Sequence, residues 1–295
     1  MAMIEQVFRE GKSPASWMPL VHTTPVDWIF DAFKDKNQDS LFYHVSKKGS
    51  RCWDVQEKCG WMPAVYMYAG KAGRPDRNKA EKRAIGRDEV YGELIMLCYH
   101  PEIEREKDGC ATPCDSGGVF TGNCKPFPVE SEDKERFKAV KFLQETRMEL
   151  DQWRAGFHEY LWSFYGSEWQ NYMDGDKPAS CPELKDACWD HCDLPVRYVD
   201  KLSDDWASWT WEVRLTGPKP ISVTDALLGW AMPKETYRKV LGALALWKEA
   251  YVRGEEGVSE PPELPDGFLD YGADPEQGVR DFMKNWIEKK QGGMR

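Results

Sequence analysis

Nine cysteines are spread unevenly along the 295-residue chain, and two pairs of them have a spacing that could bind a metal. Cys110 and Cys114 are separated by three residues, and Cys188 and Cys192 repeat that separation further along the chain. Structural zinc sites use four nitrogen or sulfur ligands in a tetrahedron, so the two pairs predict a candidate zinc site. Two alternatives stay open: disulfide bonds, which need an oxidising compartment, and reduced thiols that pack as small apolar side chains.

A histidine and several tyrosines on two predicted strands indicate a different chemistry. Residues 42–46 have the sequence Phe-Tyr-His-Val-Ser, and residues 64–68 have the sequence Ala-Val-Tyr-Met-Tyr. The first segment resembles the first-strand Tyr-His-x-Ser/Thr pattern of ADP-ribosyltransferases, and the second resembles the strand that carries their tyrosines. The chain departs from that family at Val45, where a glycine is expected, and no glutamate signature of the third strand is recognisable.

The resemblance implies an NAD-dependent transferase and assigns roles to individual residues. His44 would hold the nicotinamide ribose, and Tyr66 or Tyr68 would stack on the nicotinamide ring. Glu93 or Glu212 would be the carboxylate that orients the ribose while the oxocarbenium ion develops.

Fourteen tryptophans are far more than a core of this size needs. A tryptophan buries a large apolar area but has an indole N–H that needs a partner, so a surplus tends to collect at interfaces and ligand grooves. We expect Trp206, Trp209 and Trp286 to contribute to a binding surface. Trp209 shares a strand face with Trp211, so that pair is also compatible with a core position.

The elements that position these residues are predicted from hydrophobic periodicity and from capping patterns. Apolar and aromatic runs predict β-strands at 41–45, 64–68, 93–99 and 209–215. Helices are predicted to begin at Thr24 and Ser131 and to occupy 224–230 and 233–253, and a last helix is predicted to begin at Asp274. Beyond Ser131 an apolar stripe recurs every seven residues, at Leu143, Leu150, Phe157 and Phe164.

These elements predict an α+β fold with a small mixed or antiparallel sheet, covered by several amphipathic helices, and a helix-rich C-terminal half. We expect one interwoven domain over 1–295, because strand 209–215 returns to the sheet formed by the earlier strands. The alternative is a subdivision into an α/β part at 1–128 and a mainly helical part at 129–295. The Gly/Pro/Cys-rich segment 109–128, which predicts a long loop, would then be the boundary.

Composition limits the class of partner. The net charge of −10 disfavours nucleic acid, although residues 71–87 form a local basic stretch. No apolar run approaches the roughly 18 residues of a membrane span, and charged residues interrupt the N-terminal segment. We therefore expect a soluble cytoplasmic protein that does not enter a membrane.

No motif of nucleophilic hydrolysis or of phosphate binding is recognisable in the sequence. The sequence therefore favours a non-catalytic protein-binding or assembly protein that acts through a Trp-rich surface and binds a protein partner or another copy of itself. The alternative is an enzyme or binder of a nucleotide-like small molecule, of which the ADP-ribosyltransferase-like enzyme is the most concrete form.

Overall fold

The structure is a computed structural model, and it describes twelve stretches of the chain. These are residues 13–25, 64–71, 94–105, 107–116, 140–141, 143–178, 209–216, 226–232, 234–258, 260–261, 268–270 and 275–292. Several of the predicted features lie outside the described residues, namely strand 41–45 with His44, most of the basic stretch 71–87, Glu93, Cys188, Cys192 and Trp206.

The described strands form one sheet of eight. They are β1 (Leu20–Pro25), β2 (Val65–Ala69), β3 (Leu94–Tyr99), β4 (Asp108–Thr112), β5 (Met148–Glu149), β6 (Glu212–Thr216), β7 (Leu227–Met232) and β8 (Phe268–Asp270). Their order across the sheet is β5-β4-β6-β2-β1-β3-β7-β8. Seven strands pair antiparallel, and only β8 runs parallel to its neighbour β7. The fold is therefore mixed α+β, as predicted.

Five α-helices accompany the sheet in the described residues. They are α1 (Pro14–Trp17), α2 (Trp153–Tyr165), α3 (Gln170–Asp174), α4 (Lys234–Val252) and α5 (Pro275–Gly292), and a 3₁₀ turn spans Pro101–Glu104. Helix α4 ends in a Schellman motif, in which Glu255 N–H donates to the Ala250 carbonyl and Gly254 N–H donates to that of Tyr251. No helix in this part of the chain is long and apolar enough to cross a membrane.

The aromatic part of the core lies on one face of the sheet. Alternate residues along the chain point to opposite faces, so Val213 of β6 and Trp211, which comes just before β6, lie on the same side. Helix α2 packs there, with the ring centroids of Trp153 and Phe157 at 6.4 Å and 5.1 Å from that of Trp211. Residues on one side of α2 thus contact residues on one face of β6. The helix and the strand each bury one side in this contact.

The helix predicted to begin at Thr24 is wrong at its first two positions. Thr24 and Pro25 are the last residues of β1, where they pair with Ile95 and Leu94 of β3. The Thr-Pro-x-Asp pattern is typical of a helix start, but proline is also tolerated at the end of a strand, where the ladder needs no further donor. Six paired residues between β1 and β3 outweigh the local capping preference.

Two further strands lie where the sequence predicts a loop and a helix. Strand β4 overlaps the start of segment 109–128, which the sequence predicts as a loop, and β7 occupies most of the predicted helix 224–230. A short apolar run such as Leu-Leu-Gly-Trp-Ala-Met is compatible with a buried strand or a buried helix, because periodicity alone does not separate them. Pairing with β3 and β8 decides the outcome for β7.

The seven-residue stripe beyond Ser131 is divided between several elements. Leu143 lies in a short helical stretch, the two-residue strand β5 follows, and Phe157 and Phe164 belong to α2. The predictions of helix 233–253 and of a final helix from Asp274 are confirmed by α4 and α5, with ends that differ by one or two residues in α4.

Candidate functional site

Polar side chains collect on the face of the sheet opposite the aromatic core. Tyr66 and Tyr68 of β2 are opposite Arg214 and Glu212 of β6, and the same two β6 residues are opposite Cys110 and Thr112 of β4. Residues paired in this way lie on one face of a sheet. We call this set, with the neighbouring Asp115 and Ser116, the polar face.

Glu212 is the buried acid of the polar face. Its side chain is 2% exposed, and Ser116 Oγ donates a hydrogen bond of 2.5 Å to its Oε1. Burial raises the pKa of Glu212 well above its usual value, and repulsion from Asp115 adds to the effect, while Ser116 and Arg214 oppose it. Burial therefore disfavours the carboxylate form of Glu212 relative to that of an exposed glutamate.

Arg214 is the buried cation of the same face. It too is 2% exposed, and its Nη1 donates to Cys110 Sγ at 3.2 Å. Its guanidinium carbon lies 5.2 Å from the ring centroid of Tyr66, a cation–π distance. Burial raises the pKa of the Cys110 thiol, with a smaller opposing effect from the charge of Arg214.

Half-buried groups border these two buried side chains. Tyr68 and Asp115 are both partly exposed, and Tyr68 Oη donates to Asp115 Oδ2 at a long 3.4 Å. The polar face thus combines a carboxylic acid, a guanidinium, a thiol and two phenols within three adjacent strands. Clustered ionisable groups with a shifted pKa are typical of ligand sites, although structural networks share these features.

The residues proposed for an ADP-ribosyltransferase-like site are brought together in part. Tyr66 and Glu212 lie on the same face of adjacent strands, two residue pairs apart in register. His44 and Glu93 lie outside the described residues. A carboxylate accepts a hydrogen bond from a ribose hydroxyl best when it is ionised. The raised pKa of Glu212 disfavours the ionised form.

Of the cysteines predicted to bind zinc, the structure describes Cys110 and Cys114. Both are buried, unbridged thiols. Within the described stretches, no group of three or more His, Cys, Asp or Glu side chains has a geometry suited to a metal ion. Cys188 and Cys192 lie outside those stretches, so zinc binding stays a prediction.

The tryptophans predicted to form a binding surface occupy different environments. Trp209 is only 4% exposed, and Lys71 Nζ lies 5.6 Å from its ring centroid and 4.2 Å from that of Tyr172. Trp206 lies outside the described residues. Of the nine described tryptophans, five are buried, three are partly buried and one, Trp162, is exposed.

Trp286 joins α5 to the rest of the structure. Its indole is partly buried, with ring centroids at 6.4 Å from Trp17 and 5.3 Å from His100, both in edge-on geometry. Lys290, one turn further along α5, places its Nζ 5.4 Å from the Trp286 ring centroid and 5.8 Å from that of Trp17. Burial beside these rings lowers the pKa of His100, and the positive charges of Lys290 and Arg154 add to that effect.

The sequence analysis missed the exposed apolar side of α4. Tyr237, Val240, Leu244 and Trp247 pack toward the core, and Tyr237 meets Trp230 edge-on at 6.2 Å. Leu241 is 41% exposed, and Leu246 is 67% exposed. The signal is a run of seven residues, 241–247, without a polar side chain.

The side of α4 turned away from the core has a simple composition. An α-helix advances 100° per residue, so seven of the residues whose exposure is described share the side opposite Val240 and Trp247. These are Arg238, Leu241, Gly242, Ala245, Leu246, Glu249 and Val252, all exposed, and we call them the outward face of α4. Two apolar turns lie between Arg238 and Glu249, and Val252 lies one turn beyond Glu249.

Neither a comparison with protein-family models nor a comparison with curated proteins finds a match for this chain.

Proposed function

We propose that this protein is a non-catalytic binding or assembly protein, and that it contacts its partner through the outward face of α4. The observation that carries the proposal is the exposure of Leu241 and Leu246 on two consecutive apolar turns of a long helix. Most of the strongly exposed large apolar side chains in the described residues belong to α4, the others on this helix being Tyr251 and Val252.

Burial energetics support a contact at this surface. A single exposed leucine is ordinary, but Leu241 and Leu246 are both exposed within one run of seven apolar residues, and exposed apolar patches tend to mark interaction sites. Fully covering a leucine side chain contributes about 1.5–3 kcal/mol. The charged residues at both ends of the apolar turns give the outward face an apolar centre and a polar rim, as in known interfaces.

Two finer parts of the proposal come from the sequence. We propose that several amphipathic helices cover the sheet and that the C-terminal half is helix-rich, as the periodicity predicts. We also propose that the chain works in the cytoplasm. The unbridged thiols of Cys98, Cys110 and Cys114 support that location, because cytosolic glutathione keeps thiols reduced.

The substitution Leu246→Lys tests the proposed contact. Immobilised wild-type protein and immobilised Leu246→Lys protein are each incubated with a lysate of the protein's own source. We expect the variant to retain at least about tenfold less of each protein that the wild type captures, because the contact would bury a charge in place of an apolar side chain. Label-free mass spectrometry quantifies the retained proteins. Trp162→Lys is the matched control, because Trp162 is 50% exposed but lies on α2, and its capture should equal that of the wild type. Equal capture by wild type and Leu246→Lys would contradict the proposal.

A second candidate function is the binding of a nucleotide-like molecule at the polar face. The observation that favours it is the placement of Tyr66, Glu212 and Arg214 on one face of adjacent strands. A guanidinium binds phosphate groups in two-point geometry, and an exposed phenol ring can stack on a nicotinamide or a base. A protonated Glu212 would donate a hydrogen bond to a ligand rather than accept one.

Thermal unfolding in the presence of NAD or ADP-ribose tests this second candidate. A ligand that binds only the folded state at 100 times its Kd stabilises that state by about 2.7 kcal/mol, so we expect a clear rise in Tm for the wild type. Glu212→Leu should show a smaller rise, because the leucine side chain has no hydrogen-bond donor. The absence of any rise for the wild type with either compound would reject this function.

A further inference from the structure

His100 lies where the start of the 3₁₀ turn meets the end of α5, residues 286–292. Trp286 of α5 contacts its ring edge-on, with the ring centroids 5.3 Å apart, and the His100 side chain is only 18% exposed. We propose that His100 makes the docking of the end of α5 sensitive to pH, so that this end is held at neutral pH and loosened in mild acid. The outward face of α4 takes no part in this device.

A hydrogen bond fixes both the orientation and the protonation of the His100 ring. Glu102 N–H donates to His100 Nδ1 at 3.0 Å and caps the 3₁₀ turn, so this nitrogen carries no proton. The backbone is held as well, because His100 N–H donates to the Ala226 carbonyl at 2.8 Å. With α5 docked the imidazole is therefore neutral, and its edge-on contact with Trp286 is made in the orientation that the cap sets.

Protonation of His100 is incompatible with this arrangement. A proton on Nδ1 would place two N–H donors 3.0 Å apart, so the hydrogen bond from Glu102 N–H would be lost. The ring would then turn toward Glu102 Oε2, which lies 3.5 Å from Nδ1, and would leave the orientation in which it contacts Trp286. The Glu102 side chain is 72% exposed, so water weakens its attraction to an imidazolium. Protonation thus exchanges a cap and a ring contact for a weak ion pair.

The surroundings of His100 also determine how readily it takes a proton. Burial has the largest effect on the pKa of His100 and lowers it from the ordinary value of 6.5. Glu102 opposes this effect, whereas the positive charges of Lys290 on α5 and Arg154 on α2 lower the pKa further. An ion pair with Glu104 partly balances the charge of Arg154, and helix α1 contributes no charged side chain.

The direction of the pH dependence follows from the lowered pKa. Loosening the end of α5 removes part of the burial of His100, so the loosened state binds a proton more readily than the docked state. The contribution of His100 to docking is therefore complete above its ordinary pKa and is lost as the pH falls below 6.5. Val279, Met283 and Ile287 of α5 are fully buried and keep the helix attached, so we expect acid to loosen only its end.

Hydrogen exchange measured with and without His100 tests the proposal. His100→Asn is the matched variant, because asparagine is a good N-cap whose side-chain oxygen can accept the Glu102 N–H but takes no proton near neutral pH. After correction for the intrinsic pH dependence of exchange, we expect residues 286–291 of the wild type to exchange about three- to tenfold faster at about pH 5.5 than at about pH 7.5. In His100→Asn the same change of pH should alter the exchange by less than about 1.5-fold. Groups that titrate elsewhere act in both proteins, so the difference between them isolates His100.

Two further measurements complete the test. Strand β3 should show no acid-induced increase in exchange in either protein, which establishes that the sheet stays folded. The imidazole signals of His100 in NMR spectra, assigned by their absence from His100→Asn, should titrate with a pKa below 6.5. Equal exchange of residues 286–291 at the two pH values in the wild type would overturn the proposal. The same acid-induced increase in His100→Asn, or a His100 pKa at or above 6.5, would overturn it as well.

Discussion

We expect the Trp211→Ala variant to lose about 3–5 kcal/mol of unfolding free energy, the range seen for large aromatic truncations in a core. The indole is fully buried, and its ring centroid lies 5.1 Å from that of Phe157 and 5.6 Å from that of Tyr160. Removing it leaves a cavity where β6 meets α2, and the paired strands on both sides of β6 limit how far that cavity can close. Chemical denaturation with matched m-values measures the loss.

Trp162→Ala is the control for this variant. Its side chain is 50% exposed on α2, so we expect a change within about 0.5 kcal/mol. The backbone hydrogen bond from Trp211 N–H to Tyr172 Oη at 3.1 Å does not depend on the indole and remains available in Trp211→Ala. A loss below about 1.5 kcal/mol would mean that α2 does not pack on β6 as described.

Trp211 also bears on the interpretation of the tryptophan surplus. The surplus predicts a binding surface, whereas among the described tryptophans Trp153, Trp211 and Trp230 are fully buried and Trp209 is nearly so. Indole count is a property of the whole chain, whereas burial depends on which strand face meets which helix face. The alternation around Trp209 and Trp211 already allowed a core position, and that local pattern was the better guide.

The sheet could be predicted where a strand has its own signal and not where pairing supplies it. β2, β3 and β6 have apolar and aromatic runs, and the sequence placed them within a few residues of the observed bounds. β4 contains Gly109 and an aspartate, residues that are depleted in strands, and it exists because β5 and β6 pair with it on both sides. Pairing of this kind is a long-range property that no local window contains.

The polar face could be predicted only in part, because it also depends on which strands pair. Tyr66 and Glu212 were both named from the sequence, but nothing in it indicated that β2 and β6 are adjacent. Ser116, which donates to Glu212, is 96 residues away along the chain. The outward face of α4 had a local signal, the apolar run 241–247, but the sequence could not show which side of the helix the core would cover.

We expect Gly109→Ala to be the second strongly destabilising change, at about 3 kcal/mol or more. Gly109 has a φ of +155°, and a Cβ at this residue would lie 2.0 Å from the carbonyl oxygen of Arg214 and 3.1 Å from its carbonyl carbon. A backbone carbonyl held in a central strand cannot rotate away as a side chain would. Either β4 separates from β6 or the backbone of Arg214 shifts, and both break residue pairs between β4 and β6. Thermal and chemical unfolding measure the loss.

Gly254→Ala separates the two causes of this effect. Gly254 has a φ of +69° at the end of α4, but a Cβ there meets nothing within 4 Å, so only the left-handed strain of about 1 kcal/mol should appear. The excess for Gly109→Ala then measures the steric clash with β6. Because Glu212 and Arg214 lie on β6, the clash would displace both of these buried side chains of the polar face together. Equal losses in the two variants would show that β4 and β6 do not approach as closely as described.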